Sequence, residues 1–170
     1  MMYSMFVKPR MLHVFFILIL SYSLISCAHV VSEEMRAKAD TGLSPEKIFK
    51  NPDSFAGKTV ILGGVIISAK NEASGTYIEV LQRPLDSRGR PERTDMSAGR
   101  FIAFRDGFLD SKIYSPGRQV TVAGEITGGM SGKVGEMPYR YPLVKIEEIH
   151  LYQPGRRIPF SFSIGIWHIF

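Results

Sequence analysis

The stretch KTVILGGVIISA at residues 58–69 narrows the fold more than any other part of the chain. It is β-branched and apolar at odd and even positions alike, whereas a strand with one wet face alternates. Such a strand is either covered on both sides or passes from one sheet to another partway along. Gly63-Gly64 at its centre favours the second option, because glycine permits a bulge or a sharp coil. Four more strand-like stretches follow: TYIEVLQR at 76–83, after a Ser74-Gly75 turn; RFIAFR at 100–105; RQVTVAGEIT at 118–127; and LVKIEEIHLY at 143–152, preceded by Pro142.

One internal echo stands out. GKTVILGG at 57–64 and GRQVTVAG at 117–124 share the pattern G-[KR]-x-V-x-[LV]-x-G at a spacing of 60. A duplication is one explanation. The other is that two strands have the same task, entering a closed barrel past a glycine turn and bending at a second glycine. Five strands with a bent first strand predict a mainly all-β fold, a small five-stranded Greek-key barrel of the OB type. A β-sandwich is the competing architecture. Ser44-Pro45-Glu46 supplies helix-start signals, and Asn51-Pro52 stops the helix early, so one short N-terminal helix precedes the strands. Residues 106–114, DGFLDSKIY, occupy the place where this fold often carries another helix. The barrel domain is expected over residues 44–154. At 45% apolar and 22% charged, the 170 residues suit one globular domain and exclude a disordered chain or a multi-span membrane protein.

The tail, 155–170, is apolar, and Phe160, Phe162, Ile164 and Ile166 fall on one face of an alternating pattern. It reads as an extra strand over the barrel, or as an edge or membrane-touching segment, since Trp and Phe suit the lipid interface. It is too short and solitary to form a transmembrane barrel.

The N-terminus has a three-part layout. Lys8 and Arg10 carry charge, an uncharged apolar run follows, and then comes the single cysteine, Cys27. This is the arrangement of an export signal over residues 1–26. An uncleaved anchor is the alternative, although the densest apolar core is shorter than the roughly 20 residues that span a bilayer. Leu24, Ile25, Ser26 and Cys27 resemble the bacterial lipobox. The thiol accepts a diacylglyceryl group, the small Ser26 lets signal peptidase cut, and the freed amine takes an N-acyl chain. Three chains exceed the two signals needed for stable anchoring. Residues 27–43 have little apolar content and read as a lipidated tether. Without 1–26 the chain keeps 19 basic against 16 acidic side chains, a mild surplus that names no partner.

A catalytic set is not visible. His13 lies in the signal, His29 on the tether, and His150 and His168 stand alone in strand-like contexts; no H-x-x-x-H or Cys–His pair exists. Residues 128–133, GGMSGK, lack the spacing and the Ser/Thr of a phosphate loop and read as a hairpin turn. Glu147 and Glu148 are strand neighbours that point to opposite faces. Neither a metal nor a catalytic cofactor is expected; the only added groups are the acyl chains on Cys27. The unusual element is 82–99, QRPLDSRGRPERTDMSAG, longer than most connections. It holds Arg83, Arg88, Arg90 and Arg93, with Arg100 just after, interleaved with Asp86, Glu92 and Asp95. It reads as a solvated loop with local ion pairs, or as an anion-recognition loop beside the barrel mouth, because the arginine fork suits phosphate. Nucleic acid is not expected as a partner of an exported chain with no evident aromatic platform.

Taken in order, several short motifs resemble the Slp family of outer-membrane lipoproteins. They are Cys27, Asn51-Pro52, Phe55-Ala56-Gly57, Gly63-Gly64, EVLQRPLD at 79–86, Gly89-Arg90-Pro91, SAGRF at 97–101, GFLD at 107–110, Gly117-Arg118 with VTVAG at 120–124, YRYP at 139–142 and His150-Leu151. Tyr152 stands where the family pattern has tryptophan. The resemblance covers nearly the whole mature chain. It implies an outer-membrane, lipid-anchored domain facing the periplasm of a Gram-negative envelope. The signal layout, the lone cysteine and the lack of a visible catalytic set lead to the expectation of a non-enzymatic envelope-maintenance or stress-related role. Ala28 fits, since an Asp there would favour the inner membrane. Expected partners are outer-membrane lipid and an envelope protein or anionic lipid ligand. The resemblance brings no catalytic residues.

Overall fold

Strand β1 (Thr59–Glu72) is apolar in both phases because it has two neighbours in the sheet and cover on both faces. In the computed structural model, which describes residues 29–154, its first half pairs with β4 (Gln119–Val134), from Thr59 opposite Glu125 to Val65 opposite Gln119. Its second half pairs with β2 (Gly75–Arg83), from Gly63 opposite Arg83 to Glu72 opposite Gly75. Val60, Leu62 and Ile66 point into the core, whereas Ile61 packs outward against Val31 and Met35 of the N-terminal segment. β2 pairs with β3 (Arg100–Arg105), β3 runs parallel to β5 (Met137–Leu151), and β5 returns to β4. The order β1-β2-β3-β5-β4 closes on itself, giving the five-stranded Greek-key barrel of the OB type, not a sandwich.

The echo is a local two-fold relationship. The two segments pair with each other antiparallel, with Leu62 opposite Val122 at the centre. Gly57 N donates to Ile126 O at 2.8 Å, and Gly117 N donates to Ile66 O at 2.9 Å. The return bonds match as well: Ile126 N to Lys58 O and Ile66 N to Arg118 O, both 2.9 Å. Gly57 and Gly117 take φ of 82° and 85°, the left-handed turn that glycine adopts without a Cβ penalty.

Several local expectations change. The β1 bulge falls between Ile66 and Ser68, not at the glycine pair. Gly63 and Gly64 serve close approach instead: a Cβ on Gly64 would stand 1.9 Å from Leu81 O. Residues 128–133 are not a hairpin turn but the outer part of β4, paired as far as Val134 opposite Met137. The turn is Gly135-Glu136, with φ 58° at Gly135, as a two-residue hairpin with glycine first requires. The glycines at 128–133 fit neighbours: Gly129 lies under Arg140 and Pro52, and Gly132 under Tyr141. Residues 106–114 form no helix. Asp110 caps a single turn, accepting the amides of Ile113 and Tyr114, before Pro116-Gly117 redirects the chain into β4.

Among the described residues, two short helices precede the barrel rather than one. α1 (Glu33–Lys38) is capped by Ser32 Oγ, which accepts the Met35 amide, while Ser32 also donates to the Glu148 carboxylate. α2 (Pro45–Lys50) begins at the expected proline, although Ser44 makes no side-chain cap bond. A 3₁₀ turn, Pro52–Phe55, follows Asn51. Ile48 of α2 joins the barrel core of Ile66, Ile78, Val80, Phe101, Val122 and Val144. The described part of the segment read as a tether therefore lies against the barrel. Its few apolar residues suffice because Val31 and Met35 share one small cluster with Ala123. The strand-like tail expected over 158–170 lies outside the described residues.

Candidate functional site

The long connection between β2 and β3 is ordered by one carboxylate. Asp86 Oδ1 accepts the Arg88 and Arg90 amides at 2.9 and 2.8 Å, and Asp86 N donates to Arg90 O at 2.9 Å. A bridge between Leu85 and Pro91 closes this small hairpin. Those amides hold the Asp86 carboxyl below its ordinary value, with the Arg90 amide the largest cause and the guanidinium charges smaller ones. Gly89 is at the tip with φ 79°, and its carbonyl is buried under two hydroxyls, Thr121 Oγ1 at 2.7 Å and Tyr152 Oη at 3.1 Å. Burial holds the Tyr152 phenol above its usual range, so it remains a donor. The chain entering the barrel meets the same turn, since Val30 N donates to Arg88 O at 3.1 Å. Tyr152, the position where tryptophan was expected, thus joins the end of β5 to this loop.

The five arginines separate into two groups. Arg100 lies on β3, 2.9 Å from Glu79, and Arg83 is turned toward Asp95 and Met96 O. Arg88, Arg90 and Arg93 are exposed, and Arg90 rests over the Tyr152 ring with its guanidinium carbon 4.9 Å from the centroid. Arg90 and Arg93 line a cleft of about 490 Å³ together with Arg118, Gln119 and Val65. Arg118, seen in the sequence only as part of the echo, is fixed there by donating to Tyr152 O at 2.8 Å and Ile113 O at 2.7 Å. A second cleft, about 480 Å³, is more apolar and lies between Leu43, Ile48, Leu62 and Leu85.

Two polar clusters not evident in the sequence brace the barrel. Glu79 takes Arg100 from β3 and a long contact from the Tyr141 hydroxyl, which also donates to Lys133 O at 2.8 Å. Asp53 accepts Gly129 N and the Arg140 guanidinium, tying the 3₁₀ turn to the β4–β5 hairpin. Each joins residues far apart in sequence, and neither has a spacing signature. His29 Nδ1 is taken up by the Val31 amide, and His150 lies edge-on to Tyr152. Among the described residues, no group of three His, Cys, Asp or Glu side chains is placed to hold a metal ion, and no helix is long and apolar enough to cross a membrane. Leu24, Ile25, Ser26 and Cys27 lie outside the described residues.

A small barrel preceded by a lipobox-like tetrapeptide defines a class, that of lipid-anchored envelope domains. The chain matches the family described as "Outer membrane lipoprotein Slp family" over residues 24–163, a span that begins at Leu24. It belongs to that family and is an outer-membrane lipoprotein. It is 34% identical over 139 residues to the "Uncharacterized lipoprotein YeaY" of Escherichia coli (strain K12), covering 72% of each chain. It is 28% identical over 149 residues to the "Outer membrane protein Slp" of the same strain, covering 87% of this chain and 79% of that one. An "Uncharacterized protein" of Haemophilus influenzae is 35% identical over 96 residues, 56% of this chain and 52% of its own length. The matching family is one of outer-membrane lipoproteins.

Proposed function

We propose that this chain is a non-enzymatic module anchored through acylated Cys27 and facing the periplasm, with a role in envelope maintenance or stress. The observation that carries the reading is the match to an outer-membrane lipoprotein family beginning at Leu24, three residues before that cysteine. The placement of His29 and His150 supports the non-enzymatic part, since each is engaged in local packing and not set beside a nucleophile. Growing cells with labelled palmitate tests the attachment. Label is expected in the native chain and absent from Cys27→Ser; label persisting in the variant sinks the assignment.

A second reading has its own support. The cleft shared by Arg90, Arg93 and Arg118 suits a phosphate-bearing head group, because exposed Arg90 and Arg93 offer planar guanidinium forks that bind phosphate bidentately, while Arg118, its fork held by backbone carbonyls, adds positive charge. Calorimetry with a short-chain, water-soluble phosphatidylglycerol should show binding that weakens in Arg90→Ala and Arg93→Ala. Equal affinity in the double variant removes the idea.

A further inference from the structure

We propose that the end of the barrel bearing the 86–91 turn is a membrane-docking face, resting on an anionic lipid surface with the β4–β5 hairpin directed away from it. The proposal rests on the reading that Cys27 carries the lipid. Three features of the chain converge on that end.

The first is the entry of the chain. Val30 is bonded to Arg88 O, and it follows Cys27 by only three residues. Three extended residues reach at most about 10 Å. That is close to the Debye length at physiological ionic strength, about 8 Å, so charges beside Val30 lie within the field of anionic head groups. The second is charge. Arg88, Arg90 and Arg93 are exposed here, and Arg118 stands beside them in the cleft. The acids nearby are Asp86, turned inward onto the loop amides, exposed Glu92, Asp95 beside Arg83, Glu148 bonded to Ser32, and Glu33 and Glu34 on α1, the last paired with Lys38. The surplus of positive charge is small, so contact depends on the nearness that the anchor imposes.

The third feature is the exit. Tyr152 is bonded to Gly89 O, and Gln153 and Pro154 line the cleft with Arg90 and Arg93. The sequence beyond carries the apolar residues Phe160, Phe162, Ile164 and Ile166, followed by Trp167, a residue type enriched at the lipid interface. Lipid attachment, basic turn and apolar tail thus issue from one end of the barrel. β4 starts at Gln119 beside the cleft and runs 16 residues away from it to Val134, a contour of at most about 50 Å along a strand that bends at two register shifts. The Gly135-Glu136 tip thus lies at the opposite end of β4 from the cleft.

The chain has one cysteine, whose thiol is consumed by the lipid, so a second one can be labelled singly. Full-length acylated protein carrying Ser87→Cys or Glu136→Cys is labelled with a fluorophore and reconstituted into phosphatidylglycerol–phosphatidylethanolamine vesicles. A neutral aqueous quencher then reports exposure. Position 87 is expected to be shielded severalfold relative to position 136. The shielding should disappear in Arg88→Ala/Arg93→Ala, and also for the native face in about 0.5 M salt, where the Debye length contracts to about 4 Å, while the protein still sediments with vesicles. Equal quenching at the two positions, on a chain whose mass shows the acyl groups, overturns the docking face and leaves the anchor intact. A chain without acyl mass on Cys27 overturns the anchoring reading and this proposal with it.

Discussion

Gly64 and Gly124 occupy equivalent places in the two-fold pairing of β1 with β4, and each lets a neighbouring strand pass at backbone contact. A Cβ on Gly64 would lie 1.9 Å from Leu81 O, and one on Gly124 would lie 2.0 Å from Lys145 O. Both obstacles are backbone carbonyls of a paired strand, which a rotamer change cannot move aside. Gly64→Ala and Gly124→Ala should therefore each cost at least about 3 kcal/mol, at the severe end of overpacking. Gly57→Ala and Gly117→Ala meet nothing within 4 Å and carry only the left-handed backbone penalty, about 1–2 kcal/mol. Urea unfolding of the four variants should divide them into these two pairs.

The buried Gly89 carbonyl gives a second test. It has two hydroxyl donors, so losing one leaves the other in place. Tyr152→Phe and Thr121→Val should each cost about 1 kcal/mol, the usual net worth of a neutral hydrogen bond. The double variant strands a buried acceptor and should cost about 1–3 kcal/mol beyond the sum. A double-mutant cycle by urea denaturation reads this coupling directly. Additive costs would mean that the carbonyl finds another partner.

The barrel was legible where the pattern of residues is set by a face. RFIAFR is β3 from its first residue to its last, and the echo at a spacing of 60 marks two strands with one task. Glycine was legible as a need but not as a reason. GGMSGK looks like a turn, yet its glycines accommodate Arg140, Pro52 and Tyr141, and β4 continues through it. Residues 28–43 looked unpacked because two apolar side chains, Val31 and Met35, are enough to dock a short helix on a barrel wall already apolar at Ile61. The arginine loop was legible as a concentration of charge. Its division into paired Arg83 and Arg100 and exposed Arg88, Arg90 and Arg93 depends on Asp95 and Glu79, which no spacing rule connects to them. The reading of Cys27 rests on its flanks alone, because lipobox processing acts on local sequence and not on a fold.

The docking of α1 is separable from the barrel. Met35 is buried in a satellite cluster with Val31 and Ala123, apart from the main core. Met35→Ala should lose about 2–5 kcal/mol of local packing, the range for truncating a buried methionine. That loss falls on a segment able to open by itself. Amide exchange over residues 30–39 should accelerate by at least about tenfold, since each 1.4 kcal/mol is tenfold in the opening equilibrium. Exchange in β2 and β3 should stay unchanged. Global acceleration would mean that α1 and the barrel unfold as one unit.

Acid should release the Asp86 turn. The folded carboxyl is held below its ordinary value of 3.8, first by the Arg90 amide and then by that of Arg88. A depressed carboxyl contributes stability that is fully present above the unfolded value and is lost as pH falls through the folded one. The turn should thus hold at neutral pH and loosen only below 3.8. Asp53 is depressed too, by the Gly129 amide and Arg140, so acid will also act on the 3₁₀ turn and the β4–β5 hairpin. The two sites report separately in an NMR titration: the Arg88 and Arg90 amides follow Asp86, and the Gly129 amide follows Asp53. Asp86→Asn keeps a carbonyl acceptor but has no proton to gain. In that variant the Arg88 and Arg90 shifts should become flat across the acid range while Gly129 still titrates. Acid-driven movement persisting at Arg88 and Arg90 in that variant would show that a carboxylate other than Asp86 drives it.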